Sequence, residues 1–362
     1  SWGMLGSLAA SGCPPIERVR VRLRDIVLSG VPDGTDGPAV TYAPRRTILD
    51  ALLVDAARAA GCEVREDVSV RDMIWDDGAV AGVCGHDGGG RLWTERARLV
   101  VGADGRNSTV ARAVGARHAE DRGALAATAY CYWSGVPADG AEISIGVRRG
   151  ASSWPTHDGL TVVALTCPRE EFLNRRQSTE QVYLRLLRQL PGTGDRLAGG
   201  VREGPVRAAT NLRNFRRHSH GPGWVLAGDA GHHMDPIGAH GISDAFTDAQ
   251  DLAAAAHAGL TGTVDLRQAV AGYCQRRVAE RAATFDFVCE QAALRPADGA
   301  FERLLRKIAG STEATGELLG VFAGGRQIED FLSPANLARI MRLPQDGPPK
   351  DEARLSAVTA VR

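Results

Sequence analysis

Residues 228–245 read Gly228-Asp229-Ala230-Gly231-His232-His233-Met234-Asp235-Pro236-Ile237-Gly238-Ala239-His240-Gly241-Ile242-Ser243-Asp244-Ala245, directly after the apolar run Trp224-Val225-Leu226-Ala227. The run has the length and composition of a buried strand, the glycines and Pro236 break it, and Ser243 to Ala258 has a helical pattern. A strand that stops at Gly-Asp before a Gly-rich loop and a helix describes the carboxyl edge of an open α/β sheet, where such folds hold ligands. Asp229 there is an acceptor-only group suited to sugar hydroxyls, a charged hydrogen bond worth roughly 1.5–3 kcal/mol. Gly238 and Gly241 allow a flat ligand to approach the backbone, and the first amides of the helix have no intrahelical acceptor. The segment therefore predicts a preorganised anion site.

A second element of this kind lies upstream, where Leu99-Val100-Val101-Gly102-Ala103-Asp104-Gly105 again runs from apolar strand to acidic turn. Each element alone also fits a plain strand-to-helix turn. Around them, Val19, Val21 and Leu23 alternate with Arg20, Arg22 and Arg24, a half-exposed strand. Arg46 to Ala60 carries Ile48, Leu49, Leu52, Leu53, Ala56 and Ala57 at helical spacing and stops at Gly61. A short helix is expected over Trp2 to Ala10, and strands over Glu63–Val70, Ala79–Cys84 and Arg91–Leu99. Ala124 to Thr166 is rich in strand signals and aromatic residues, Gln177 to Leu190 is an amphipathic helix, and the chain from Val264 onward is mostly helical. Trp154-Pro155-Thr156-His157-Asp158-Gly159 reads as a turn, with His157 a candidate acid or base.

The chain has 362 residues, long enough for about two domains, and its 44% hydrophobic and 24% charged residues are globular values. Forty-three basic residues balance 43 acidic ones, which disfavours binding to nucleic acid or anionic membrane through bulk charge. No apolar run approaches the roughly 18 residues of a membrane span, so a soluble, cytoplasmic protein is expected. Seven cysteines contain no Cys-x-x-Cys pair, and His232, His233 and Asp235 have no second cluster to complete a metal site, so no metal is expected.

Taken together, the two acidic turns, their order and their separation resemble the "DG" and "GD" motifs of the FAD-dependent monooxygenases similar to para-hydroxybenzoate hydroxylase. The resemblance extends over most of Trp2 to Leu260, and Pro44-Arg45-Arg46-Thr47 matches the family's helix start. It implies an α/β fold in which an FAD-binding, Rossmann-like domain is interleaved with an antiparallel-sheet substrate domain and followed by C-terminal helices. The corresponding segments are 1–17, 42–118 and 214–262 for the cofactor, 18–41 and 119–213 for the substrate sheet, and 263–362 for the tail.

The same resemblance implies site residues. Asp229, with Gly228, would bind the ribityl chain of FAD. Asp104, with Gly105, would stand by the pyrophosphate, and Arg46 would lie against the cofactor. Pro236, Gly238, Gly241, Ile242 and Ser243 would line the isoalloxazine, the amides of Ile242 and Ser243 near its carbonyl. His240 would sit at the flavin edge to bind substrate or relay a proton, although a solvent-facing loop histidine also fits it. Apart from the resemblance, Tyr132, Trp133 and Trp154 of the aromatic-rich strand segment could stack on an aromatic substrate, although aromatic residues in strands are more often plain core. NAD(P)H would reduce the flavin, O2 would be the oxidant, and an aromatic or polyketide-like small molecule the acceptor.

The family's Gly-x-Gly-x-x-Gly turn is not in this chain, which begins Ser1-Trp2-Gly3-Met4. The expectation is that this segment precedes Ser1. Three other readings compete. A flavin halogenase resembles Trp-x-Trp-x-Ile-Pro with a catalytic Lys, which Tyr132-Trp133-Ser134-Gly135-Val136-Pro137 does not match, both lysines (Lys307 and Lys350) lying far beyond it. A reductase of the geranylgeranyl-reductase type would need no oxygen, and a flavin-free binding protein would need no redox chemistry.

Overall fold

The computed structural model describes residues 2–34, 37–137, 139–174, 176–296 and 298–345. They fall into two compact units, one drawn from Ser1–Ala59, Ala126–Thr210 and Leu294–Arg362, the other from Ala60–Leu125 and Asn211–Ala293. These boundaries follow packing, whereas the segments read from the sequence group residues by the ligand they are expected to serve. The helices after residue 263 are accordingly shared between the units. Leu266–Glu280 and Ala282–Ala292 belong to the second unit, and Gly299–Ala309, Thr312–Phe322 and Pro334–Arg342 to the first.

The first unit is built on a seven-stranded sheet in the order Val201–Ala209, Ala127–Ser134, Thr161–Cys167, Arg149–Pro155, Ala141–Gly146, Val19–Leu23, Ile26–Gly30. Every neighbour pair is antiparallel except Ala141–Gly146 with Val19–Leu23. Strand periodicity sorts the side chains. Ala129, Cys131, Trp133, Ala151, Val163 and Leu165 form a core with Val182, Leu186 and Leu187 of the helix Thr179–Leu187. That helix starts where it does because Ser178 and Gln181 form a reciprocal capping box. The intervening residues take the opposite face, where Tyr132, Val162 and Trp154 stand in register across three strands.

In the second unit, Val100–Gly102 and Trp224–Leu226 pair in parallel, Val101 beside Val225. A parallel strand is covered on both faces, and here Val225 packs with Leu252, Ala255, Val270 and Tyr273 while Trp224 and Leu226 pack with Met73, Val80, Val100 and Val110. An antiparallel sheet of Ser69–Asp76, Ala79–His86 and Leu92–Arg96 lies in the same unit. The expected strand over Glu63–Val70 is corrected: the strand begins only at Ser69. The residues before it are charged, Arg65 pairing with Glu63 and Glu95, and Asp67 takes a left-handed φ of 56°, which no strand contains.

Candidate functional site

The strand Trp224–Leu226 ends in a single 3₁₀ turn, Gly228–Ala230, entered through Gly228 at φ 54°. That conformation costs other residues energy and explains the glycine. The Gly228 amide donates to Asp248 Oδ2 at 2.8 Å, and a Cβ on Gly228 would stand 3.6 Å from that of Ala245, so the turn rests on the helix Gly241–Leu260. Asp229, the next residue, is partly exposed. In that helix the first intrahelical bond is Asp244 N–H to His240 C=O, at 2.9 Å. The amides of Gly241, Ile242 and Ser243 precede it, all three residues are exposed, and the helix they open runs for twenty residues in all. This is the positive end of a helix dipole, open at its N-terminus and lying against the acidic turn.

Buried charges hold the arrangement. Asp248, 1% exposed, pairs with Arg277 at 3.1 Å and Arg281 at 2.8 Å. Arg277 also donates to Leu226 C=O, Tyr273 Oη and Ser219 Oγ, at 3.1, 3.1 and 2.9 Å. One guanidinium thus ties the last residue of the strand to two helices. Arg281 also reaches Asp244, whose carboxyl burial lifts above its ordinary range while Arg281 and His240 oppose the rise. The negative charge in the first turn is therefore partly offset by Arg281.

The loop between is held by bonds of its own. Asp235, 2% exposed, accepts from the Ile237 amide through Oδ1 at 3.0 Å, and its own amide donates to Asn214 Oδ1 at 2.7 Å. Burial pushes its carboxyl up to about 6. His232 goes the other way: burial, with Arg277, Arg281 and Arg216 nearby, pushes it down to about 3. Gly238 has no room for a side chain, since a Cβ would stand 2.7 Å from Val288 and 2.8 Å from the His240 ring. Its glycine is required by packing, whereas Gly241 opens onto free space. Pro236 is exposed and His240 partly buried.

The second unit therefore gathers Asp104, Gly105, Gly228, Asp229, Pro236, Gly238, His240, Gly241, Ile242 and Ser243. Asp104 also acts locally, since its Oδ2 accepts from the amides of Thr109 at 2.6 Å and Val110 at 3.1 Å and so starts the helix Thr109–Ala113 together with the Ser108 cap. Arg46, Tyr132, Trp133 and Trp154 belong to the first unit. Arg46 is exposed and pairs with Asp50 at 2.8 Å along its own helix, while its neighbour Arg45 lies over the Tyr132 ring, 5.4 Å from the centroid. Tyr132 and Trp154 share a sheet face.

Trp133 does not join them. It is 5% exposed in the core, its indole N–H donating to Tyr183 Oη at 3.1 Å, because adjacent residues of a strand point to opposite faces. The buried Asp248–Arg277–Arg281 group was not among the residues that the sequence pointed to. The spacing of Tyr273, Arg277 and Arg281 at four-residue steps, and of Asp248 four residues before Leu252, is the available signal. Among the described residues no group of three His, Cys, Asp or Glu side chains could hold a metal, and no helix is long and apolar enough to cross a membrane.

A family model described as an FAD binding domain matches residues 28–287. A tryptophan 2-halogenase of Chondromyces crocatus is 25% identical over 243 residues, which are 64% of this chain and 47% of the halogenase. The chain thus spans about half the length of the curated relative it matches. Among solved structures, the flavin-dependent brominase Bmp2 superposes with a TM-score of 0.77 at 18% identity, covering 93% of this chain and 84% of that one. PqsL of Pseudomonas aeruginosa, described as a probable FAD-dependent monooxygenase, superposes with a TM-score of 0.65 at 20% identity, covering 89% and 84%. At these identities the superpositions establish a shared fold.

Proposed function

This chain belongs to the FAD binding domain family, and on that premise we propose that it is an FAD-dependent monooxygenase of the cytoplasm that takes electrons from NAD(P)H and delivers one oxygen atom of O2 to an aromatic or polyketide-like small molecule. The observation that carries the proposal is the acidic turn Gly228–Ala230 laid against the open N-terminus of Gly241–Leu260. The residues present fit FAD: the carboxylate of a partly exposed Asp229 for ribityl hydroxyls, and the amides of three exposed residues ahead of the first intrahelical bond for an oxygen that becomes anionic.

When bound, FAD would supply hydride acceptance and oxygen activation. The chain supplies the rest. Asp229 would orient the sugar chain, and Asp248, by holding Gly228, would fix where Asp229 points. The amides of Gly241, Ile242 and Ser243 would stabilise negative charge by dipoles already in place, which costs no reorganisation during reaction. Asp104 would place the pyrophosphate, and Arg46 would lie against the cofactor. His240 would bind substrate or carry a proton at the edge of the loop. Tyr132 and Trp154 would offer the organic substrate an aromatic surface.

A second reading is a flavin-dependent halogenase, favoured by the curated relative. Against it stands Tyr132-Trp133-Ser134-Gly135-Val136-Pro137, where Trp133 is core and no lysine is present, while Lys307 donates to the Leu343 carbonyl elsewhere in the first unit. The test is FAD-loaded protein with NADPH or NADH under air and a panel of phenols and polyketide phenols. The monooxygenase reading predicts NAD(P)H oxidation stimulated by an organic acceptor and a product heavier by one oxygen. Halide incorporation with externally reduced flavin, and no NAD(P)H oxidation, would establish the halogenase instead.

A further inference from the structure

In the first unit, the turn between the strands Arg149–Pro155 and Thr161–Cys167 lies on the segment that precedes the helix Arg46–Ala59, and three successive residues grip it. Thr156 Oγ1 donates to Ala43 C=O at 2.6 Å. His157 Nδ1 accepts from the Arg45 amide at 3.3 Å. The Asp158 carboxylate pairs with the Arg45 guanidinium at 2.5 Å, from a left-handed φ of 63° that Asp adopts only at some cost. Thr156 and His157 are both 2% exposed.

The hydrogen-bond directions fix the imidazole. Since the Arg45 N–H donates to Nδ1, the ring proton is on Nε2, which donates to Ser11 Oγ at 2.9 Å; Ser11 Oγ in turn donates to Leu8 C=O at 2.5 Å. Both nitrogens are engaged and buried, so the reading of His157 as an acid or base gives way to another role. The ring joins the end of the helix Met4–Ala10, the sheet turn and the start of the next helix. At the far side of this tie stands the Arg45 guanidinium, 5.4 Å from the Tyr132 ring centroid.

We infer that His157 is a positioning residue: through Nδ1 it sets where Arg45 stands over Tyr132 and where the helix beginning at Arg46 starts, and so sets FAD affinity through Arg46. The flavin consequence rests on the proposed function, but the tie itself does not. Two substitutions separate hydrogen bonding from mere packing. In His157→Asn the side-chain oxygen takes the place of Nδ1 and keeps an acceptor for Arg45. In His157→Gln the amide nitrogen takes the place of Nε2, and the Arg45 acceptor is lost.

The experiment is amide hydrogen exchange of the peptide spanning 43–49, paired with FAD titration. His157→Gln is expected to speed exchange of the Arg45 amide roughly fivefold to tenfold, with His157→Asn within about twofold of the parent. FAD dissociation constants are expected to follow the same order, weaker by roughly fivefold in His157→Gln. Equal exchange in the two variants, or parental exchange in His157→Gln, overturns the inference. So does a parent that binds FAD no more tightly than His157→Gln. If the parent binds no FAD at all, the proposed function fails, while the exchange comparison still decides the tie. Should His157→Gln not fold, Ser11→Ala, which removes only the Nε2 partner, is expected to speed Arg45 exchange about twofold or more, and unchanged exchange there overturns it.

Discussion

The Gly228 amide donates to Asp248 Oδ2 at 2.8 Å, so the turn that presents Asp229 is anchored by a carboxylate twenty residues further on and 1% exposed. The same carboxylate pairs with both Arg277 and Arg281, and Arg277 holds the carbonyl of Leu226 at the strand end. Strand, acidic turn and helix N-terminus are thus fixed by a single buried charge group.

Removing that charge takes from Arg277 its carboxylate partner and leaves Arg281 only the more distant Asp244, at 3.8 Å. Asp248→Asn is expected to lower unfolding stability by about 3–5 kcal/mol, the usual result of breaking one side of a buried pair. Urea unfolding followed by far-ultraviolet circular dichroism measures it. A loss under about 1 kcal/mol would show that the group is not what holds the turn.

The sheet faces separate stability from ligand contact. Trp133→Phe removes the N–H donated to Tyr183 Oη, which still donates to Val163 C=O at 2.9 Å, so a cost of about 1–2 kcal/mol in stability is expected with ligand affinity unchanged. Tyr132→Ala, on the other face under Arg45, is expected to leave stability within about 1 kcal/mol and to raise KM for the organic substrate. The reverse pattern in thermal melts and steady-state kinetics would put the substrate on the helix-covered face.

Asp235 and His232 give stability opposite dependences on pH. The Asp235 carboxyl is raised to about 6 from 3.8, so the folded chain keeps its proton where the unfolded chain has lost it. Stability from this group is full below pH 3.8 and falls as pH rises to about 6, by about 3 kcal/mol. Asp235→Asn, which keeps the oxygen facing Ile237, is therefore expected to melt higher than the parent at pH 7.5 and equally at pH 3.5. His232 is depressed from 6.5 to about 3, so its contribution is present above pH 6.5 and is lost as pH falls toward 3. His232→Gln is expected to flatten the acid side of the melting profile, and an unaltered acid limb would contradict that burial.

Much of this was legible in residues whose local chemistry admits one structure. Gly228-Asp229 after Trp224–Leu226 marks a strand end, and the core on both sides of Val225 follows from its uninterrupted apolar run. Trp133 was not legible, because Tyr132 and Trp133 are adjacent and period-two alternation assigns them to faces without saying which face a helix covers. Arg45 and Arg46 present the same difficulty at a helix start. Asp248 and Arg277 carry no local signal of a pair, because only the fold brings together residues 29 positions apart.

The role proposed for Asp229 and the amides ahead of Asp244 is to hold FAD. The direct measurement is titration of FAD into the protein expressed from its full reading frame, the parent, and into its Asp229→Ala variant, followed by the visible flavin spectrum and quenching of flavin fluorescence. A saturable, near-stoichiometric complex is predicted for the parent, with an affinity at least roughly tenfold weaker for Asp229→Ala, the loss of a charged hydrogen bond. A parent protein that binds no FAD, or an Asp229→Ala variant that binds it equally well, would contradict that role.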